Sequence, residues 1–401
     1  MKFAIIKERK NPPDKRAVLS PKAAVALQKI FPHAKVIVES DDNRTFSDEE
    51  YRQNGIEVKE SIEECDVLLG VKEVPVEALI PHKKYFFFSH TIKKQPYNRK
   101  LLKAVLEKNI ELFDHEVITY PNGVRVVAFG RYAGIVGAYN SLRTLGLKFN
   151  SFTLPRANTL KDQAELIAEL NKITFPKVKI VLTGKGRVGN AAREILAAAP
   201  IKEVNAEDFL TKDFDEAVFT QIDVLDYNKR KDGQLLNMKD FFDHPEQYDS
   251  DFMKFAKVSD VFIAGHFYGD GAPYLFTRED AKRPDFKIKV VGDISCDIDG
   301  PVASTLRACT IADPNYGYDP VKETEVDFMQ PNAIAVMAVD TLPSELPRDA
   351  SEGFGESFLK EVIPAFFNGD KDGILQRAQM TKNGMLTENF KYLQGYVDGT
   401  A

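Results

Sequence analysis

Short apolar runs at residues 3–6, 35–38, 66–71 and 85–89 punctuate the first part of the chain, with amphipathic segments between them. That alternation predicts strands joined by helical crossovers into a mostly parallel sheet. The crossover Pro21–Ile30 carries its own start signal, with Ser20 at the N-cap and proline at the first helical position. A second short helix is predicted over Asp48–Gln53. This first β/α region ends near residue 128.

From 129 to 145 the pattern is helical but carries Gly130, Ala133, Gly134, Gly137 and Ala138, small residues that let another backbone approach. That suits a helix packed at a domain junction. A helix over 160–172 leads to a strand at 178–182, a helix over 188–199 and a short strand at 201–204. Later strands are expected at 261–264 and 288–292. The stretch 214–248 is polar and takes no clear assignment. Beyond about residue 320 no strand run stands out. The segments 333–339, 352–367 and 374–379 are expected as helices whose apolar faces are buried on an earlier domain. No solenoid period and no low-complexity tract is present.

Composition changes this picture little. A chain of 401 residues with 43% hydrophobic and 28% charged residues is an ordinary globular protein of about two or three domains. A net charge of -6, with Lys and Arg spread throughout, provides no broad cationic surface for nucleic acid. No apolar run approaches the ~18 residues that span a bilayer, and the N-terminus turns charged too early for a signal peptide. The expectation is a cytoplasmic protein without a membrane or nucleic-acid partner. Cys65, Cys296 and Cys309 form no CxxC pair and have no His at zinc spacing, so they are expected as core thiols, and no metal site is predicted.

Candidate chemistry starts with Gly184, Gly186 and Gly189, a G-x-G-x-x-G that follows a predicted strand and opens a predicted helix at Arg187 and Val188. This is the context of a dinucleotide fingerprint, in which the second glycine lets backbone approach the pyrophosphate at the helix N-terminus. A ligand-free glycine turn is the alternative. Lys185 and Arg187 are placed to meet a phosphate or to be merely solvated. The residue that usually contacts the adenosine ribose follows the next strand, here Asn205, so the choice between NAD and NADP is weakly signalled. Lys72 and His90 each follow an apolar run and emerge at the carboxyl ends of successive strands, the edge that faces ligands in open α/β sheets. If those strands are neighbours, about 4.8 Å apart, the two groups can share a proton path. Arg16, Arg125 and Arg131 are candidates to grip a carboxylate, and Glu73 and Glu116 to receive an ammonium.

Taken together, KRAVLSP at 15–21, LLGVKEVP at 68–75, FFSHTIKKQPYN at 87–98, RVVAFGRYAG at 125–134, GDISCDIDG at 292–300 and VDTLPSELPRDAS at 339–351 resemble the saccharopine dehydrogenase (L-lysine-forming) and lysine-ketoglutarate reductase family, within the alanine dehydrogenase and transhydrogenase group. The resemblance implies an α/β protein of two Rossmann-like domains with parallel sheets and an interdomain cleft. On this reading residues 1–128 with about 325–401 form a substrate-binding, catalytic domain, and 129–324 the dinucleotide-binding domain. It further implies that Lys72 and His90 are an acid-base pair, that Arg16, Glu73, Glu116 and Arg125 line the substrate and proton-relay site, and that Asp293 lies close to the nicotinamide. Lysine-forming members often carry Asp where this chain has Asn205. Several segments, especially SHTIKKQPYN and AFGRYAG, look closer to the saccharopine-forming branch.

The expectation is therefore an oxidoreductase acting on the CH–NH bond of an amino-acid substrate, foremost saccharopine, with NAD as cofactor and NADP left open. The saccharopine-forming reductase, a related alanine or amino-acid dehydrogenase, and a non-catalytic cofactor-binding regulator are the alternatives. Oligomeric state is not set by the sequence.

Overall fold

A computed structural model describes residues 1–12 and 14–400. Contacts divide the chain into two compact units, one of Met1–Phe129 with Pro347–Ala401 and one of Gly130–Leu346.

The first unit is built on six parallel strands, β1 Lys2–Ile5, β2 Lys35–Glu39, β3 Glu57–Lys59, β4 Val67–Leu69, β5 Lys84–Phe87 and β6 Glu111–Asp114, in the order β3-β2-β1-β4-β5-β6. Helical crossovers cover both faces of such a sheet, so its central strands are apolar throughout, as Phe3, Ala4 and Ile5 show by being fully buried. Helix α1 (Pro21–Ile30) is capped by Ser20, whose side chain accepts from Ala23 N–H, and α2 (Asp48–Gln53) by a Ser47–Glu50 capping box. Helix α3 (Arg99–Glu107) buries Leu101, Leu102, Ala104 and Val105 in a core shared with Met380, Phe390 and Leu393 of the C-terminal segment. In the same unit, Ser351 Oγ accepts from Ala17 N–H and Ser20 Oγ donates to Glu352. The carboxyl ends of β1, β4, β5 and β6 are thereby set side by side.

The second unit opens with α4 (Gly130–Phe149) and α5 (Gln163–Leu170). It then alternates β7 Lys179–Thr183, α6 Arg187–Ala198, β8 Lys202–Glu203, α7 Ala206–Thr211, β9 Val218–Ile222 and α8 Val224–Tyr227. A small hairpin of β10 Asn228–Arg230 and β11 Tyr248–Ser250 encloses α9 Met238–Asp243. The sheet is completed by β12 Val261–Ala264, β13 Val290–Asp293, β14 Asn315–Asp319, β15 Thr324–Val326 and β16 Ile334–Met337. The strand order is β15-β14-β16-β13-β12-β7-β9-β8, with β14 running antiparallel to both β15 and β16 and the rest parallel. The small residues of α4 let α6 come into backbone contact: a Cβ on Gly134 would lie 2.2 Å from the Val188 carbonyl oxygen.

Three expectations change. Residues 333–339, expected as helix, contain β16, whose four residues are all buried. A strand covered on both faces loses its polar alternation and resembles a buried helix turn. The polar stretch 214–248 contains β9, which pairs directly with β7 in the middle of the sheet. The helix expected over 352–367 is regular only over Pro347–Ser357 and then loosens through a π turn at Phe358–Val362 into a 3₁₀ turn at Ile363–Phe366, where Pro364 supplies no N–H. Among the described residues no helix is long and apolar enough to cross a membrane, and no group of three or more His, Cys, Asp or Glu side chains is arranged to hold a metal ion.

Candidate active site

In the first unit β4 pairs with β5, and β5 with β6, so the segments that follow them converge. His90, three residues past a fully buried strand end, sits in the left-handed region at φ 55°, an uncommon conformation for a residue with a side chain. Its Nδ1 lies 3.3 Å from Glu116 Oε2, and its Nε2 lies 3.8 Å from Glu73 Oε1. The two loops are locked by Asp114, fully buried at the end of β6, which accepts N–H groups from Ser89 (2.9 Å) and Glu116 (2.7 Å).

Glu116 is the charge centre of the cluster. Burial pushes its carboxyl up, but the hydrogen bond from His90 and the positive charges of Lys93, His90 and Arg125 outweigh it and bring it down to about 2. Lys93 Nζ lies 3.6 Å and Arg125 Nη2 3.3 Å from Glu116 Oε1. An ionised Glu116 can only accept, so Nδ1 of His90 carries the proton and a neutral imidazole has its lone pair on Nε2. Glu73 accepts from Lys10 through its other oxygen at 2.9 Å. Lys72 is partly buried, and its amine is held below the ordinary lysine value by burial and by the charges of Arg16 and Lys10, against the pull of Asp14 and Glu73. The cluster thus contains an amine made easier to deprotonate and an imidazole held in one tautomer, groups suited to moving protons.

The structure treats the two candidate carboxylate clamps differently. Arg16 is buried, and its Nε and Nη2 already form a fork on Asp14 at 2.9 and 2.6 Å while the guanidinium lies 4.1 Å from the centre of the Phe129 ring. Arg125 is about half exposed, on the open side of Glu116. Arg131 lies in the second unit and is paired with Glu194 at 2.7 Å.

In the second unit the glycine turn joins β7 to α6. Gly184 takes φ 94°, and a Cβ there would strike Gly265 O at 2.6 Å. A Cβ on Gly189 would come within 1.9 Å of Gly184 O. At Gly186, in contrast, a Cβ would meet no protein atom within 4 Å, so space is left open where backbone faces outward. Gly186 is also the N-cap of α6 and offers no side chain to its first N–H groups. Those N–H groups lack carbonyl partners inside the helix and carry the positive end of its dipole, so the turn fits a dinucleotide pyrophosphate. Beside it lies a cavity of about 450 Å³ lined by Arg187, Val188, Val224, Met238, Phe242 and Phe267, among others. Asp293, at the end of β13, is fully buried and accepts from Ser295 Oγ (2.6 Å), Thr305 Oγ1 (2.6 Å) and Cys296 N–H (3.0 Å), so it organises the loop that follows.

Asn205 does not follow a strand that pairs with β7. It follows β8, the edge strand, which pairs with β9 and not with β7, and its side chain caps α7 by accepting from Asp208 N–H at 2.8 Å. β7 lies between β12 and β9, and β9, registered Thr183 to Ile222, is followed directly by Asp223. Asp223 caps α8 together with Asp226, and their carboxylates lie 3.4 and 3.6 Å from Lys185 Nζ. Sheet order thus adds Asp223 as a second candidate beside Asn205, which lines a cavity together with Lys185 and Asp226. Glu8, Asp114 and Asp223 all escaped the reading of the sequence; the signal available for each was an acidic residue at or shortly after a strand end.

Comparison with known proteins agrees with this architecture. Residues 4–136 match the family described as alanine dehydrogenase/PNT, N-terminal domain. The alpha-aminoadipic semialdehyde synthase of Mus musculus is 29% identical over 440 residues, covering 98% of this chain and 47% of that protein. The saccharopine dehydrogenase [NAD(+), L-lysine-forming] of Candida glabrata is 26% identical over 377 residues, covering 88% of each. The chain spans about half the length of the mammalian relatives it matches. An L-alanine dehydrogenase structure, 17% identical, superposes over 100% of both chains with a TM-score of 0.65 and shares the fold.

Proposed function

We propose that this chain, which is similar to saccharopine dehydrogenases and alpha-aminoadipic semialdehyde synthases, works as a member of the saccharopine dehydrogenase and lysine-ketoglutarate reductase family and oxidises saccharopine to lysine and 2-oxoglutarate with NAD. The observation that carries this reading is the convergence of Glu73, His90 and Glu116 beside a lysine of lowered basicity, Lys72. A nicotinamide dinucleotide bound at the 184–189 turn supplies the acceptor for a hydride.

The chain's own groups handle the protons. As the glutaryl carbon loses hydride, the secondary amine nitrogen loses its proton, leaving a C=N bond, and Lys72 takes that proton. Water then adds to the carbon, with His90 Nε2 accepting its proton while Glu116 holds Nδ1–H. Nitrogen takes back one proton as the carbinolamine forms and a second as that hydroxyl gives up its proton, so the C–N bond breaks and releases lysine as the amine and 2-oxoglutarate as the carbonyl product. Atoms balance with one water consumed and one proton released per hydride. Saccharopine carries three carboxylates. Arg125 is an exposed cation that can take one of them, while Arg16 acts through whatever edge its fork on Asp14 leaves available.

The preference for NAD rests on Asp223. A carboxylate at the end of the strand beside β7 accepts from ribose hydroxyls and repels a 2′-phosphate, and Asp226 adds to the repulsion. The second reading is the same bond chemistry run as reductive condensation with NADPH. It is favoured by the match to the aminoadipic semialdehyde synthases over 98% of this chain.

Steady-state absorbance of the reduced cofactor tests both, using saccharopine with NAD or NADP and lysine plus 2-oxoglutarate with NADH or NADPH. Turnover of saccharopine with NAD is expected, and Lys72→Met and His90→Gln should each lower it by about 10² to 10⁴. If saccharopine is neither consumed nor formed while alanine is oxidised, the substrate assignment fails.

A further inference from the structure

The turn that carries Lys72 is tied down from every side. Gly70 N–H donates to Phe86 O at 2.8 Å, and Phe88 N–H donates to Val71 O at 3.0 Å. His115 is fully buried, and burial brings its imidazole down to about 4, so it is neutral. A carbonyl can only accept, so His115 Nε2–H donates to Gly70 O at 2.9 Å. The N–H groups of Val71 and Lys72 both go to one side chain: Glu8 Oε1 takes Val71 at 2.6 Å and Oε2 takes Lys72 at 2.9 Å.

Glu8 reaches the turn from the segment after β1, the strand next to β4. The fit is close: a Cβ on Gly70 would stand 2.8 Å from Ile6 Cδ1 and 3.5 Å from Glu8 Oε1. Asp14 and Arg16, the other charged groups acting on it, are paired with each other. Burial raises the Glu8 carboxyl to about 8, against the two N–H bonds that stabilise its charged form. Burying a carboxyl to hold two backbone groups is a costly way to close a turn, so the cost calls for a return beyond the fold.

We propose that Glu8 is a positioning residue for Lys72: its two oxygens fix the backbone at residues 71 and 72, and so set where the amine stands for proton transfer. This rests on the reading of Lys72 given above. It separates Glu8 from a purely structural group, because a residue that acts through Lys72 has nothing left to contribute once the amine is gone.

The test is a double-mutant cycle on the full chain with saccharopine and NAD. Glu8→Gln keeps the shape but turns an NH₂ toward one of the two N–H donors. It should lower turnover by about 10- to 100-fold, the scale of a displaced reacting group, with little change in cofactor affinity. In a Lys72→Met background the same change should matter by less than about twofold. Any rescue of Lys72→Met by added ethylamine should be equal with and without Glu8→Gln, since a free amine needs no turn. Thermal melts report folding; Glu8→Asp, too short to reach both N–H groups, replaces Glu8→Gln if that variant does not fold. Equal losses in both backgrounds, or near-normal turnover of folded Glu8→Gln, overturn the proposal while leaving Lys72 in place. Near-normal turnover of Lys72→Met overturns both.

Discussion

Replacing Asp223 by Asn should weaken discrimination between NADH and NADPH. The substitution is nearly isosteric and retains an oxygen to accept from Leu225 N–H, as Asp223 does at 3.0 Å, so the start of α8 should survive. What is lost is one negative charge beside the position of the ribose 2′ oxygen. Two unit charges about 5 Å apart at an effective dielectric of about 40 repel by about 1.7 kcal/mol. A 2′-phosphate carries about 1.5 to 2 negative charges, which gives roughly 2.5 to 3.3 kcal/mol against a single carboxylate. Lys185 Nζ, 3.4 Å from Asp223 but about half exposed, offsets part of this. A net effect of roughly 2 kcal/mol corresponds to about a 30-fold fall in the ratio of the NADPH and NADH dissociation constants. Titration of the reduced cofactors by fluorescence at fixed ionic strength measures the ratio without requiring turnover. Asn205→Ala, on the edge strand, is the control and should leave the ratio within about twofold. The reasoning fails if Asp223→Asn moves the ratio by less than about threefold, or if the unaltered chain binds NADPH the more tightly.

Gly186→Val should abolish cofactor binding and leave the melting temperature nearly unchanged, because no protein atom stands within 4 Å of the added Cβ; unchanged NADH affinity in the folded variant would contradict the turn's role. Arg125→Ala should fold normally and weaken substrate binding by about 10- to 150-fold, the cost of one charge-assisted carboxylate contact. Arg16→Ala should instead lower stability by about 3 to 5 kcal/mol by leaving Asp14 buried without its partner; urea unfolding of both variants separates the two outcomes. Burial raises the Glu345 carboxyl from 4.5 to about 7, against a hydrogen bond from Asn140. A carboxyl raised in the fold is given up first by the unfolded chain, so its contribution is lost as pH rises from about 4.5 through 7. Glu345→Gln should therefore gain on the unaltered chain by about 2 to 3 kcal/mol between pH 5 and pH 8, and a pH-independent difference in unfolding free energy would refute this.

Much of the local architecture was determined by sequence alone. Ser20 and Pro21 mark the start of α1 because the capping hydroxyl and the missing N–H act within one turn. The glycine motif is legible because its three glycines answer to contacts within a single strand-turn-helix unit. Lys72 and His90 could be placed at strand ends because each follows an uninterrupted apolar run, and the small residues of α4 forecast a close backbone approach. What only tertiary structure decided is pairing over long separations. Strand order puts Asp223, and not Asn205, after the strand that pairs with β7, because β9 inserts between β7 and β8, and no periodicity records which strand a strand will meet. Thr220 and Gln221 disguised β9 as polar, although Thr220 is buried in the sheet and Gln221 donates to Gly184 O. The same limit hid Glu8 and the Asp14–Arg16 fork. A charge is exposed or spent according to which side chains the fold brings to it, and burial then sets the pKa that decides what it can do.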